Sequence, residues 1–253
     1  MKKIAIVGAG VAGLTLAAFL EKKNFSNYRI YESKKKKKKK NGYGIQLSPN
    51  AHKILNLLNV KKFKNSNIFY PKNVNFYDIK TFNKISNIDL TQFNYKNFKY
   101  ICLKRSVLLR YLFDQINSKK VLYGKKLVKI IKAKKKQKIQ FSDGTSELVD
   151  IIIGADGVNS TVNNQVFLEN KIIYPNIFAL RSVLKLNSKN KDLDTKNISI
   201  FMGPKIHMVI YPLNAKKEFN IVIMINSSKY LKFYNKKKII FYKIKNLLNL
   251  DIK

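Results

Sequence analysis

The sequence is poor in the side chains that most often bind metals or form cross-links. Cys102 is the only cysteine, and His52 and His207 are the only histidines. A lone cysteine cannot form an intrachain disulfide or a cysteine metal cluster, and two histidines argue against a histidine metal site. We therefore expect no metal centre. A chain without disulfides also fits a reducing, cytoplasmic location.

Acidic residues are scarce as well: 14 of them face 51 basic residues, which gives a net charge of +37. Such a charge is typical of proteins that bind nucleic acid or anionic membranes. Only four of the basic residues are arginines, whereas surfaces that read phosphates and bases favour arginine. We therefore expect no specific nucleic-acid partner. Electrostatics alone still predicts weak lysine contacts with polyanions or a peripheral membrane surface.

Long hydrophobic runs are nearly absent. The uncharged stretch from Ile4 to Leu20, after Lys2 and Lys3, has the pattern of a secretory signal peptide. It is too short and too rich in glycine for a comfortable membrane span, and its glycines follow a regular spacing that a signal peptide does not need.

The seven lysines at 34–40 are interpreted as a solvated loop, with an anion-binding patch as the alternative.

The first thirty-odd residues carry the strongest pattern of the chain. An aliphatic run from Ile4 predicts a buried parallel strand, and the spacing GxGxxG follows it at Gly8, Gly10 and Gly13. These glycines allow a tight turn, a close approach to a pyrophosphate and a helix packed against the sheet. A predicted helix, 11–22, then directs its N-terminal amides at the phosphates, and Glu32 ends the second strand, where it can bind an adenosine ribose.

Two strand-rich blocks, at about 67–98 and 173–225, interrupt this α/β nucleotide-binding pattern. A single strand is predicted over 147–153, a helix from Val158, and a lysine-rich helix over about 229–248.

Several separated motifs together resemble the flavin-dependent aromatic hydroxylases, a group that includes the salicylate, 3-hydroxybenzoate and ubiquinone-pathway hydroxylases. GAGVAGLTLA with Glu32 is similar to the adenosine-diphosphate site of that family, and GYGIQLSPNA to its second flavin-contacting loop. LKRSVLLRYL places Arg105 where these enzymes hold the cofactor, and IIGADGVNSTVN resembles the DG motif with Asp156 and Gly157.

The resemblance implies a Rossmann-like FAD-binding domain of the GR2 type at 1–66 and 99–172, with an interleaved, mainly antiparallel substrate-side sheet at 67–98 and 173–253. It implies FAD as cofactor, NADH or NADPH as co-substrate, molecular oxygen, and a small phenolic or other aromatic substrate that is hydroxylated. The implied cofactor-binding residues are Gly8, Gly10, Val11, Ala12, Gly13, Glu32, Gln46, Arg105, Val128, Asp156 and Gly157.

His207 and Tyr211 are the implied catalytic residues, with a histidine that is only hydrogen-bonded within the sheet as the alternative for His207. They lie four apart on a predicted strand, so both side chains should lie on one face. The histidine could take the phenol proton while the tyrosine hydroxyl holds a substrate oxygen. Arg181 is a candidate for binding a substrate carboxylate, with a structural ion pair as the alternative.

Two departures from the family pattern bear on activity. The DG motif normally ends in arginine seven residues after Asp156, where this sequence has Asn163. The second flavin motif of the family, a Gly-Asp before a helix, is expected beyond residue 253. The sequence therefore suggests a truncated or decaying gene product, or half of a split protein. The alternatives are a non-catalytic nucleotide-binding module that needs a partner chain and a lysine-rich polyanion-binding protein.

Overall fold

A computed structural model of the chain describes residues 1–36, 42–58, 65–94, 98–167, 173, 176–186, 193–215 and 218–226. Part of the lysine run, 37–40, and the predicted final helix, 229–248, lie outside these residues. In chain order the helices and strands are β1 Ile4–Val7, α1 Val11–Lys22, β2 Tyr28–Glu32, β3 Gly44–Leu47, α2 Pro49–Leu57, β4 Ile68–Phe69, β5 Asn73–Asp78, β6 Lys84–Asp89, β7 Ile101–Lys104, α3 Arg105–Phe113, β8 Val121–Tyr123, β9 Leu127–Ala133, β10 Lys136–Phe141, β11 Ser146–Val149, β12 Ile151–Gly154, α4 Thr161–Val166, β13 Ile177–Lys185, β14 Ile198–Gly203, β15 Ile206–Pro212 and β16 Glu218–Asn226.

The chain divides into two compact units, which we call unit 1 (1–41 and 106–172) and unit 2 (42–105 and 173–253). The predicted domain boundaries differ from this division because they assign 42–66 and 99–105 to the nucleotide-binding part. Those boundaries stay a prediction about function. The prediction of an α/β fold with an interleaved, mainly antiparallel sheet is confirmed.

The centre of unit 1 is a parallel sheet with the strand order β12-β1-β2-β8. All four residues of β1 are buried, as expected for an aliphatic strand with neighbours on both sides. Helix α1 follows the predicted bounds and packs Leu14, Ala17 and Ala18 into the core. An antiparallel sheet, β11-β10-β9, covers Tyr31, which stacks on Phe141 with 4.8 Å between the ring centroids.

The prediction of one strand over 147–153 is wrong, because the chain changes sheets at Asp150. Residues before it pair antiparallel with β10, and residues after it pair parallel with β1. The Asp150 N–H donates to the Lys3 carbonyl oxygen (3.0 Å), and its carboxylate accepts from the Lys3 N–H (2.7 Å). These two hydrogen bonds fix the chain where it passes from β11 to β12, so the apolar run on either side of Asp150 contributes a strand to each of two sheets.

The predicted helix start at Val158 is also wrong. Helix α4 begins at Thr161, and Ser160 caps it by accepting a hydrogen bond from the Asn163 N–H at 3.0 Å. Val158 itself is 79% exposed. Serine is a preferred N-cap residue, so the cap rather than the apolar pattern sets the first helical residue.

Unit 2 contains a sheet with the strand order β13-β16-β15-β14-β5-β6, in which only the β14–β5 pair is parallel among the described strands. One face carries Met208, Ile210, Phe219, Ile221 and Ile223 in an apolar cluster. The opposite face, which we call the tyrosine face, packs into a second cluster with Cys102 and Leu213 from neighbouring segments. The tyrosine face includes Val74, Val183, Ile198, Ile200, Val209 and Tyr211.

A smaller sheet of unit 2 has the order β3-β7-β4. Strand β7 is fully buried from Ile101 to Leu103, and both of its neighbours pair with it antiparallel. Among the helices of the described ranges, none is long and apolar enough to cross a membrane.

Candidate functional site

The glycines that follow β1 differ in what surrounds them. A Cβ atom at Gly8 would lie 2.3 Å from the Ala155 carbonyl oxygen, and one at Gly13 would lie 2.0 Å from the Gly8 carbonyl oxygen. Neither position has room for a side chain. A Cβ atom at Gly10 would meet no atom of the protein within 4 Å. The loop is therefore tight at its two ends and open at its tip, which is the shape that a bound pyrophosphate needs.

The N-terminus of α1 adjoins this open tip. Gly10 is its N-cap residue, in an extended conformation and with no side-chain hydrogen bond to the helix. The N–H groups of Val11, Ala12 and Gly13 have no intrahelical acceptor, as in the first turn of any α-helix. With the positive end of the helix dipole, these amides suit a phosphate.

Glu32 lies at the end of β2 beside the glycine loop. Its carboxylate accepts hydrogen bonds from the Ala9 N–H (3.0 Å) on one oxygen and from the Lys34 N–H (2.9 Å) on the other. An ionised carboxylate can accept about four hydrogen bonds. Ser33 Oγ donates a further, longer bond to the same carboxylate at 3.4 Å. Glu32 therefore fixes the loop and still has capacity for a ribose hydroxyl.

Asp156 forms hydrogen bonds within the protein at the start of α4. Its carboxylate accepts from Ser160 Oγ (2.6 Å), the Thr161 N–H (2.7 Å) and the Val162 N–H (3.2 Å). These bonds hold the start of α4. Gly157 next to it has φ +83°, a conformation that favours glycine. A cofactor contact of either residue stays a prediction.

Val128 lies on β9 with 45% of its surface exposed. Gln165 of α4 bonds to this strand twice, because its Nε2 donates to the Val128 carbonyl oxygen (2.7 Å) and its Oε1 accepts from the Ile130 N–H (2.7 Å). The sequence does not predict these two bonds, because a glutamine in a short helix gives no signal for them. The cofactor role of Val128 is not tested by these contacts.

Gln46 and Arg105 belong to unit 2. Gln46 Oε1 accepts a hydrogen bond from the Tyr100 hydroxyl at 2.8 Å. The Arg105 N–H donates to the Tyr43 carbonyl oxygen at 2.9 Å, which ties the start of α3 to the residue before β3. The Arg105 side chain is exposed, and its guanidinium has no ion pair with another residue of the described ranges.

Arg181, His207 and Tyr211 all lie on the tyrosine face. His207 and Tyr211 alternate with the inward residues of the opposite cluster on β15, and Arg181 is two residues from Val183 on β13. The expectation that the histidine and the tyrosine share one face of a strand is confirmed. Their environments differ, since Tyr211 is 4% exposed and His207 is an exposed residue. Their Cα atoms are about 13 Å apart on an extended strand.

The Tyr211 hydroxyl lies in a narrow place beside Gly44. It is 2.6 Å from the position that a Gly44 Cβ would occupy, so only glycine fits there. Burial, with the neighbouring Cys102 thiol and Tyr100, raises the pKa of Tyr211 well above its ordinary value of 10.0, against the opposing charge of Arg181. The phenol therefore keeps its proton at neutral pH and can act as a hydrogen-bond donor.

Metal ligands are not gathered anywhere in the described part of the chain: it contains no group of three His, Cys, Asp or Glu side chains that could hold a metal ion. The expectation of a chain without a metal centre stays a prediction.

No protein-family model matches the chain. Among curated proteins, it is 30% identical over 183 residues to a 6-hydroxynicotinate 3-monooxygenase of Pseudomonas fluorescens, covering 72% of this chain and 47% of that protein. It is 27% identical over 213 residues to a 3-amino-4-hydroxybenzoate 2-monooxygenase of Streptomyces cremeus, covering 83% of this chain and 53% of that protein. The chain thus spans about half the length of these two relatives.

Solved structures share the fold. HpxO of Klebsiella pneumoniae, complexed with FAD and uric acid, aligns with a TM-score of 0.80 at 18% identity over 97% of this chain and 61% of that one. The 2,6-dihydroxypyridine-3-hydroxylase of Arthrobacter nicotinovorans aligns with a TM-score of 0.76 at 19% identity, over 90% and 57%. Together with the sequence relatives above, the chain is thus similar over most of its length to FAD-dependent aromatic hydroxylases.

Proposed function

We propose that this chain forms the FAD-binding and substrate-side part of a monooxygenase that consumes NADH or NADPH and hydroxylates a small aromatic substrate. The observation that carries the proposal is the glycine loop: tight at Gly8 and Gly13, open at Gly10, and followed by an uncapped helix N-terminus. No acidic side chain occupies the first turn of that helix, so no carboxylate of the helix itself repels an anion.

The residues of unit 1 fit the adenosine-diphosphate half of FAD. The amides of Val11 and Ala12 donate to the pyrophosphate, and Glu32 accepts from the ribose hydroxyls. In unit 2, Gln46 and Arg105 are assigned flavin contacts by the resemblance alone. When bound, FAD would supply the group that NADH or NADPH reduces and that then activates molecular oxygen. Asp156 and Gly157 are included as cofactor contacts on the same ground, and Val128 likewise.

On the tyrosine face, the protein has to hold the aromatic ring and handle its proton. Tyr211 donates its O–H to an oxygen of the substrate, since the raised pKa keeps the proton on the phenol. His207 accepts the substrate's phenolic proton on an imidazole nitrogen. Arg181 attracts a substrate carboxylate. His207 and Tyr211 lie about 13 Å apart, so they act on opposite ends of the substrate rather than on one oxygen.

The test is ligand binding and turnover with the purified chain. After incubation with FAD and removal of excess, the flavin absorbance is titrated with 6-hydroxynicotinate and 3-hydroxybenzoate, and oxidation of NADH and NADPH is followed. We expect His207→Gln to lower kcat by about 100-fold or more, as for loss of a general base. Tyr211→Phe should weaken ligand binding about tenfold, as for loss of one hydrogen bond.

The other histidine provides the matched control. His52 Nδ1 lies 3.0 Å from the Lys99 carbonyl oxygen and has no assigned role toward cofactor or substrate, so His52→Gln should leave turnover unchanged. Bound flavin without any response to these aromatic ligands would contradict the hydroxylase proposal. That result would favour a nucleotide-binding module that needs a partner chain.

A further inference from the structure

Asn220 is a fully buried amide within an apolar strand. It is 0% exposed, and its neighbours on β16, Phe219 and Ile221, belong to the apolar cluster of the opposite face. In the antiparallel register it lies directly opposite Tyr211 on β15 and opposite Val183 on β13. Side chains at directly opposite positions share a face and have Cβ atoms about 5 Å apart. Asn220 therefore projects from the tyrosine face beside Tyr211.

One half of this amide is satisfied and the other is not. Asn220 Oδ1 accepts a hydrogen bond from the Gly44 N–H at 2.7 Å. A backbone N–H can only donate, so this bond fixes which end of the amide faces Gly44. Nδ2 is buried and has no hydrogen-bond partner within the part of the chain that the structure describes. Buried donors without a partner are rare in folded proteins.

The Tyr211 hydroxyl lies next to the same glycine. The position of a Gly44 Cβ would be 2.6 Å from Tyr211 Oη and 2.7 Å from Asn220 Cβ. A donor without an acceptor thus lies beside a hydroxyl that can accept one bond and donate another.

We propose that Asn220 is a positioning residue for Tyr211: its Nδ2–H donates to Tyr211 Oη, and this directs the tyrosine O–H toward an oxygen of the aromatic substrate. The structure leaves Nδ2 unbonded, so the proposed bond requires a rotation of the Asn220 or the Tyr211 side chain. Asn220 itself does not touch the substrate. The inference rests on the proposed function, because it assigns a use to the Tyr211 hydroxyl. It also predicts that the ligand offers an acceptor, such as a phenolate, carbonyl or carboxylate oxygen.

The first test uses the FAD-free chain labelled with ¹⁵N, and it is independent of flavin binding. The side-chain amide resonances of Asn220 are compared between the unmodified chain and Tyr211→Phe, which removes only the hydroxyl. We expect them to shift, because the donor loses its acceptor. Val183→Ala trims an apolar side chain opposite Asn220 and is the control, with a clearly smaller shift. Unchanged Asn220 resonances in Tyr211→Phe would overturn the proposal.

The second test is a double-mutant cycle on the FAD-loaded chain, with 3-hydroxybenzoate binding followed by flavin absorbance. We expect Asn220→Ala to weaken binding about tenfold when Tyr211 is present and less than about twofold in the Tyr211→Phe background. An equal loss in both backgrounds would mean that Asn220 only supports the fold, and would overturn the proposal. If Asn220→Ala does not fold, the amide resonances in Tyr211→Phe decide alone. A chain that takes up no FAD contradicts the proposed function but leaves the resonance test intact.

Discussion

The glycine loop of unit 1 and the tyrosine face of unit 2 present different atoms to a ligand. The loop offers backbone amides at Val11 and Ala12 and the empty space above Gly10. The tyrosine face offers the side chains of Arg181, His207 and Tyr211, which lie on two strands, β13 and β15, that both pair with β16. The first site consists of backbone groups around free space, and the second consists of polar side chains.

This difference determines how each region fails. A site made of backbone amides and close contacts between glycines is damaged by any added side chain, because main-chain atoms cannot move aside. A site made of side chains is damaged by removing a polar group, and the strand beneath it survives. The two variants below, in order of decreasing expected effect, test this contrast through stability.

Gly13→Ala is expected to be the most damaging single change. Alanine is favoured over glycine in a helix by about 1 kcal/mol, which alone would stabilise α1. The new Cβ would lie 2.0 Å from the Gly8 carbonyl oxygen, however, and overpacking costs about 3 kcal/mol in such rigid places. We expect a net loss of about 2 kcal/mol or more, measured as the free energy of unfolding in urea. Gly10→Ala, whose Cβ meets nothing within 4 Å, is the control, and equal stability of the two variants would contradict the account.

Glu218→Gln tests a side-chain contact at the start of β16. Glu218 accepts from Lys104 Nζ at 2.7 Å and from Asn214 Nδ2 at 2.6 Å, and both charged groups are about 15% exposed. Burial alone would raise the pKa of Glu218, but these hydrogen bonds outweigh it and hold the pKa below its usual 4.5. A lowered pKa stabilises the fold above pH 4.5, and the gain is lost as the pH falls through the folded value.

We therefore expect Glu218→Gln to lower the free energy of unfolding by about 2 kcal/mol at pH 7. The difference in this free energy between the variant and the unmodified chain should narrow in acid. The free energy of unfolding as a function of pH measures both. Asp143→Asn is the control. Hydrogen bonds from Lys125 and Thr145 hold the pKa of Asp143 at about 2. Because this side chain is exposed, loss of its charge should leave the free energy of unfolding unchanged. A constant gap at all pH values would contradict the role given to the Glu218 charge.

The sequence predicts what is local and misses what depends on register. Strand β1, the glycine spacing, α1 and Glu32 follow one another within 32 residues, so their pattern alone predicts the loop. The break at Asp150 depends on Lys3, which is 147 residues away. The hydrogen bonds of Asp156 depend on where α4 begins. Asn220 interrupts an apolar strand and could have been noticed as a buried polar residue. Its position opposite Tyr211 follows only from the pairing of β15 with β16.

The central claim is that the open tip at Gly10 holds the pyrophosphate of FAD. The most direct test measures two properties of Gly10→Asp: its affinity for FAD and its stability without FAD. Gly10 has an extended conformation and free space around it, and aspartate is a good N-cap residue, so the FAD-free chain should unfold at the same or a higher urea concentration. The carboxylate would occupy the amides and repel the phosphates, so FAD affinity should fall about 100-fold or more. Unchanged FAD affinity in a folded Gly10→Asp chain would contradict the account.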